Sequence, residues 1–213
     1  MMRGKTLFLI LVGAVALGVG VWLGQALIRQ TVEPPLEIAG IYFPDAQEVV
    51  NFTLTDQTGR PFTRQDFKGH WTFLYFGYTY CPDVCPLTLA RLNTVDQRLV
   101  QQGLDRDIAY IMISVDPRRD TPERLGQYTA FFNKKFQGVT GTPEALDKLV
   151  KQCGIYYKLQ DQEDKQNYVV DHSSVLVLID PDARLRAIFT QPDQPDTVVA
   201  DFGKIRTRYQ ASR

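Results

Sequence analysis

The spacing of apolar positions changes several times along this chain, and each change predicts an element. From Thr6 to Ile28 no residue is charged, and at about 1.5 Å per residue the run can cross a hydrocarbon core of about 30 Å, which predicts a transmembrane helix over 6–28. The stretch 29–49 carries Pro34, Pro35 and Pro44 without clear periodicity and is expected to be a tether. Asn51 to Thr63 alternates apolar and polar residues around Gln57-Thr58-Gly59-Arg60, a hairpin signature. Trp71 to Thr79 is apolar without strict alternation, as expected of a central strand buried on both faces, and Ile108 to Asp116 reads the same way. A helix is expected from Pro86, with Leu89, Leu92, Val95 and Leu99 on one side and Gly103 at its cap. Thr121 with Pro122 and Thr142 with Pro143 predict two further helix starts. The second of these places Leu146, Leu149, Val150 and Cys153 on one stripe, ended by Gly154. Ser173 to Phe189 forms two strands around Asp180-Pro181-Asp182-Ala183, and Val198, Val199, Phe202, Ile205 and Tyr209 mark a last amphipathic helix.

The resulting order is hairpin, strand, helix, strand, helix, helix, hairpin, helix. It predicts an α/β, thioredoxin-like fold over 50–213, a central mixed sheet flanked by helices with an N-terminal β-hairpin addition, preceded by the single transmembrane helix.

Composition supports one globular domain and a short extra segment: 213 residues, 44% hydrophobic and 23% charged. The formal net charge is zero and no cluster of Lys and Arg stands out, so no nucleic-acid partner is expected. Arg3 and Lys5 precede the apolar run and only Arg29 follows it closely, which favours a cytoplasmic N-terminus over 1–5 and an exported domain. A cleaved signal peptide with Ala14-Val15-Ala16 as its site is the rival reading, against which the apolar run continues well past that point. No Arg- and Ser-rich presequence precedes the run, so a bacterial inner membrane with the domain facing the periplasm is expected. In that compartment an unprotected close pair of cysteines tends to oxidise, while three cysteines are too few for a disulfide scaffold.

Two of the cysteines stand in FGYTYCPDVCPLT, Phe76 to Thr88, at the exit of the first buried strand. On a helix N-terminus the i, i+4 spacing of Cys81 and Cys85 puts them on one face, close enough for a disulfide, a thiol redox couple or a shared metal ion. Of the two histidines, His70 precedes that strand, and ten or so extended residues hold it up to about 30 Å from the pair. His172 stands just before a strand expected to run antiparallel to the first, so it should lie near the cysteines, where thioredoxin-like oxidoreductases place a cis-proline. No proline occurs between Tyr168 and Ile179. Two thiolates and one imidazole suit copper, Cu(I) especially, better than structural zinc, which takes four protein ligands. A hydrogen-bonded polar residue at a strand start remains the plain alternative for His172.

The segments YFGYTYCPDVCP, VDPRRDTPERLGQY and VDHSSVLVLIDP, in this order, resemble the Sco/SenC family of membrane-anchored copper proteins from about Asn51 to the last helix. The resemblance implies Cys81, Cys85 and His172 as ligands of copper, Cu(I) and/or Cu(II), and a role in building the dinuclear copper site of cytochrome c oxidase. The copper-bearing oxidase subunit, other periplasmic copper chaperones and thiol reductants are then the expected partners. Many members have histidine immediately before the first cysteine; this chain has Tyr80.

Asp83, between the cysteines, is read as a helix N-terminal acid that can also tune the site or meet a partner, and Asp171 as a carboxylate that can orient the imidazole. Asp116, Arg118, Arg119 and Asp120 are expected to stabilise a loop and helix start, and Cys153 to be a core residue. Beside copper delivery stands a thiol-disulfide oxidoreductase that reduces the partner's cysteines through Cys81 and Cys85 and leaves His172 dispensable. A peroxiredoxin-like peroxidase is disfavoured, since Gly77-Tyr78-Thr79-Tyr80 lacks the activating residue a helical turn before the cysteine.

Overall fold

The computed structural model describes residues 2–31, 35–159, 168–192 and 194–213, with the side chains of 2–3, 5–7, 26–31, 159 and 172 outside that description. Helix α1 (Met2–Thr31) contains the window Phe8–Gln25, whose mean hydropathy of 2.0 makes it long and apolar enough to cross a membrane. A separate unit begins at Ile38. Its strands are β1 (Ile41–Glu48), β2 (Thr53–Asp56), β3 (Pro61–Thr63), β4 (Trp71–Gly77), β5 (Ile108–Ser114), β6 (Phe136–Thr140), β7 (Tyr157–Leu159), β8 (Val170–His172), β9 (Leu176–Ile179) and β10 (Arg184–Phe189). Its helices are α2 (Val84–Gln101), α3 (Pro122–Phe132), α4 (Pro143–Gln152) and α5 (Pro195–Ala211).

Eight strands form one mixed sheet in the order β1-β10-β9-β4-β5-β6-β2-β3, and β7 pairs with β8 apart from it. β4, β5 and β6 are parallel, β9 runs antiparallel to β4, and β10 returns antiparallel to β9. A parallel βαβ unit joined in one sheet to a terminal antiparallel hairpin is the thioredoxin-like arrangement that the element order predicts. β4 is buried along its whole length because both faces are covered. On one face Trp71 and Phe73 meet Phe202 of α5 at ring-centroid distances of 5.5 and 5.3 Å, and each such ring removed from water contributes about 1.5–3 kcal/mol.

Four strands escape the sequence pattern. β1 lies inside the expected tether 29–49 but pairs with β10, so the sheet begins near Ile41. It is an edge strand without alternation, broken by an irregularity between Tyr42 and Gln47 that accommodates Pro44. The Arg186 guanidinium donates to the carbonyls of Phe43 and Pro44 there, at 3.2 and 3.1 Å. β6 is five residues long, and its Gly138 is needed because a Cβ would approach Leu125 Cβ to 2.5 Å. The hairpin β2-β3 joins the sheet through β6, so the N-terminal addition sits at the edge opposite β1. The sequence also does not announce β7 and β8, each only three residues long.

Candidate metal centre

β4 and β5 end together, with Gly77 opposite Ser114, and the chain leaves the sheet there. Gly77 is required by what lies above it: a Cβ would fall 2.6 Å from Tyr75 Cε1 and 3.1 Å from Cys85 Sγ. The turn through Tyr78, Thr79 and Tyr80 closes with the Cys81 N–H donating to the Tyr78 carbonyl at 3.3 Å. Helix α2 then begins at Val84, two residues before the predicted start, because Pro86 within the first turn lacks only an N–H that has no helical partner there. Asp83 occupies the N-cap position, so its carboxylate stands at the helix N-terminus as expected; it is exposed and makes no side-chain cap bond. A sulfur caps the first turn instead: the Cys85 N–H donates to Cys81 Sγ at 3.4 Å.

The two thiols therefore meet at the positive end of a helix, where sulfur anions are stabilised. Cys81 is half-buried and Cys85 fully buried. The Cys85 thiol is pushed far up, first by its hydrogen bond with the Cys81 sulfur and then by burial, against the Tyr75 hydroxyl and the Tyr78 backbone. Cys153 lies on the far stripe as expected, its thiol pushed up to about 12 by burial.

Beneath the loop is a buried polar network. The Asp120 carboxylate accepts from the Thr79 amide (3.0 Å), the Thr79 hydroxyl (2.5 Å) and the Ser114 hydroxyl (2.6 Å). Burial pushes Asp120 up, and the Ser114 and Thr79 donors oppose that. The Arg124 Nε donates to the Thr79 oxygen at 2.6 Å and its guanidinium lies 4.0 Å from the centroid of the Tyr80 ring. Asp120 is thus a wall of the site rather than only part of a helix start, and no local pattern could have told so, because its partner is 41 residues away.

The other side arrives from β8. Tyr168 donates its hydroxyl to Asp116, and the Val170 N–H donates to the Tyr78 hydroxyl at 3.2 Å. That hydroxyl, raised chiefly by burial and opposed by the Val170 amide, also neighbours the Cys81 sulfur. His172 follows within the same strand, its backbone paired with Tyr157; its side chain lies outside the described residues. Asp171 is exposed and pairs in register with Lys158. His70 precedes β4 at the opposite end, beside Asp105 and Asp107. Among the described residues no group of three or more His, Cys, Asp and Glu side chains could hold a metal, so the described soft donors here are the two sulfurs. Their convergence, one accessible and one buried, fits a thiophilic ion.

Residues 43–207 match the family model for SCO1/SenC. The human mitochondrial protein SCO1 homolog is 35% identical over 151 residues, 71% of this chain and 50% of that protein. This chain thus spans about half the length of the mammalian relatives it matches. The SCO2-like protein of Rickettsia prowazekii is 34% identical over 86% of this chain and 89% of its own. Among solved structures, Arabidopsis thaliana ScoI with copper bound superposes with a TM-score of 0.69 at 32% identity, covering 76% of this chain and 99% of that one. With the model matched over most of the domain and the Rickettsia relative nearly end to end, the chain belongs to the SCO1/SenC family.

Proposed function

We propose that this chain is a membrane-anchored copper metallochaperone that holds its cargo through Cys81, Cys85 and His172 and assists assembly of the dinuclear copper centre of cytochrome c oxidase. The observation that carries the reading is the meeting of the two sulfurs, with the Cys85 N–H on Cys81 Sγ at 3.4 Å and the strand of His172 joined to the same turn through Tyr78. The copper bound by the Arabidopsis relative supports it. Thiolates with an imidazole form a soft, low-coordinate shell for Cu(I), and Cu(II) can share it. The accessible Cys81 is where ligand exchange with the copper-bearing oxidase subunit, or with a copper donor, begins. Cys85 carries its proton until the ion displaces it, so loading releases protons. Helix α1 anchors the chain in a bacterial inner membrane, with the domain facing the periplasm. There the metal-free pair oxidises to a disulfide that a thiol reductant must open before copper enters. Asp83 and Asp171 are both exposed, and Asp83 is placed where a partner meets the cysteine turn.

Copper titration of the reduced full chain in detergent micelles tests this. One equivalent bound, with a thiolate-to-copper absorption band lost in Cys81→Ser and in His172→Ala, is the expected result.

A second reading is favoured by the same asymmetry of an accessible and a buried thiol. As a thiol-disulfide oxidoreductase, the Cys81 thiolate attacks a partner disulfide, and Cys85 then displaces the partner's sulfur, leaving two partner thiols and a Cys81–Cys85 disulfide. It predicts that His172→Ala keeps full activity in reducing the oxidase cysteines, and a failed copper titration would give it the lead.

A further inference from the structure

We propose that Arg119 is a positioning residue of this centre: it clasps the segment leading into β8 to the cysteine turn and so sets where the strand of His172 stands relative to the two sulfurs. The inference rests on the copper reading above. Its basis is one guanidinium shared between both sides. Toward the cysteines, Arg119 Cζ lies 4.7 Å from the centroid of the Tyr80 ring, and Tyr80 is bonded to Cys81. Toward β8, it lies 3.6 Å from the centroid of the Tyr168 ring, and its Nη2 donates to the Tyr168 carbonyl at 3.0 Å. Its Nε donates to Asp116 Oδ2 at 2.5 Å, while the Tyr168 hydroxyl donates to the other oxygen of the same carboxylate.

The clasp is desolvated, since the side chains of Arg119 and Asp116 keep only 10% and 0% of their exposure. Charge-assisted bonds and ring stacking are stronger there than at a surface. A lysine could keep the ion pair but not the planar stack and fork together. A second bond joins the turn to β8, from the Val170 N–H to the Tyr78 hydroxyl, and β8 pairs on its other side with β7 over Val170, Asp171 and His172. Arg119 therefore ties the residue next to Cys81 to the segment that leads into that strand through several contacts of one side chain. A residue that orients a metal ligand through its surroundings changes metal affinity by about 10–100-fold when removed.

The test is a double-mutant cycle on the reduced full chain in detergent micelles: wild type, Arg119→Gln, His172→Ala and the double variant. Copper affinity is read by chelator competition, with the thiolate-to-copper band and the thermal midpoint alongside. Arg119→Gln is expected to weaken copper by about tenfold and shift the band in the wild-type background, yet to cost less than about twofold once His172 is gone. If Arg119→Gln does not fold, Arg119→Lys carries the cycle. An equal loss in both backgrounds, or none in either, overturns the clasp. If His172→Ala and Cys81→Ser lose copper while Arg119→Gln does not, the copper reading stands and the clasp alone is wrong. If His172→Ala binds as wild type does, the copper reading fails at its third ligand and the clasp falls with it.

Discussion

On the cysteine side of the centre, the turn follows a strand paired along its whole length with β5 and, on the other edge, with β9, and a buried carboxylate holds the turn from below. On the histidine side, three residues of β8 pair with three of β7 in a sheet of their own, with Val169 and Tyr156 exposed at 48% and 59%. One wall is continuous with the main sheet; the other is a separate two-stranded strip, with Tyr168 and Val170 buried beneath it, that Tyr78, Arg119, the Tyr157 hydroxyl on Asp147 and a short ladder help to hold. A carrier that must grip an ion and then surrender it gains from that inequality. On the proposed copper reading, two fixed sulfurs would hold the position of the cargo, and His172 on a looser mount would leave first without disturbing the fold.

Hydrogen exchange should show the largest consequence. Amides of β4 and β5 open only with global unfolding, typically about 5–15 kcal/mol, whereas those of β8 need only a local opening. The Val170 amide is expected to exchange at least about a thousandfold faster than those of Phe73 and Ile111. Equal protection would mean that the strip belongs to the core, and the comparison would collapse.

Next in size is the loss of the carboxylate under the cysteine turn. Asp120→Ala strands the Thr79 amide and hydroxyl and the Ser114 hydroxyl, and each orphaned buried donor costs about 1–3 kcal/mol. A fall of roughly 3 kcal/mol in urea-unfolding stability is expected, with a smaller one in Asp120→Asn, which keeps an acceptor. An unchanged midpoint would show that the turn is not pinned from below.

How much of this could be read beforehand follows from the range of each interaction. Thr121 and Thr142 announced their helices because a cap bonds to the amide three residues on, as each does here. β4 announced itself because both of its faces are covered and its residues say so one after another. The Cys81–Cys85 pair was legible for the same local reason. β1 was not, because an edge strand with a proline satisfies its backbone through Arg186, more than 140 residues away. The acidic and basic residues of Val115 to Asp120 read as a loop and helix start, yet Asp120 and Arg119 act across the site, on Thr79 and Tyr168. Nothing in their own neighbourhood records those partners.

A reference point remote from both walls separates general destabilisation from effects on the centre. In the β2-β3 turn, burial raises Asp56, but the Thr58 hydroxyl and the amides and side chain of Arg60 and Thr58 more than offset it and bring the carboxyl to about 2. Since its folded value lies below the ordinary 3.8, its contribution is present above about pH 4 and lost as pH falls toward 2. That difference amounts to about 2 kcal/mol. Asp56→Asn should lose it at neutral pH, flatten the acid limb between about pH 4 and 2, and leave copper affinity at neutral pH where it was. A copper loss as large as the stability loss would mean that any destabilisation reaches the centre.

The smallest change addresses the joint itself. The Tyr78 ring is 1% exposed, so Tyr78→Phe keeps the packing and removes only the hydroxyl that accepts from the Val170 N–H. One such bond is worth about 1 kcal/mol, so opening of β8 should become about fivefold more frequent. The Val170 amide reports it directly, and the amides of Phe73 and Ile111 should not respond. Those amides, rather than copper, are the right readout, because the same hydroxyl neighbours the Cys81 sulfur and a change in metal affinity would mix two causes. If all three amides accelerate together, the hydroxyl was supporting the core and the strip has no independent opening. If Val170 alone responds, the strand of His172 moves on its own hinge, as the proposed copper reading requires of a ligand that lets go of its cargo.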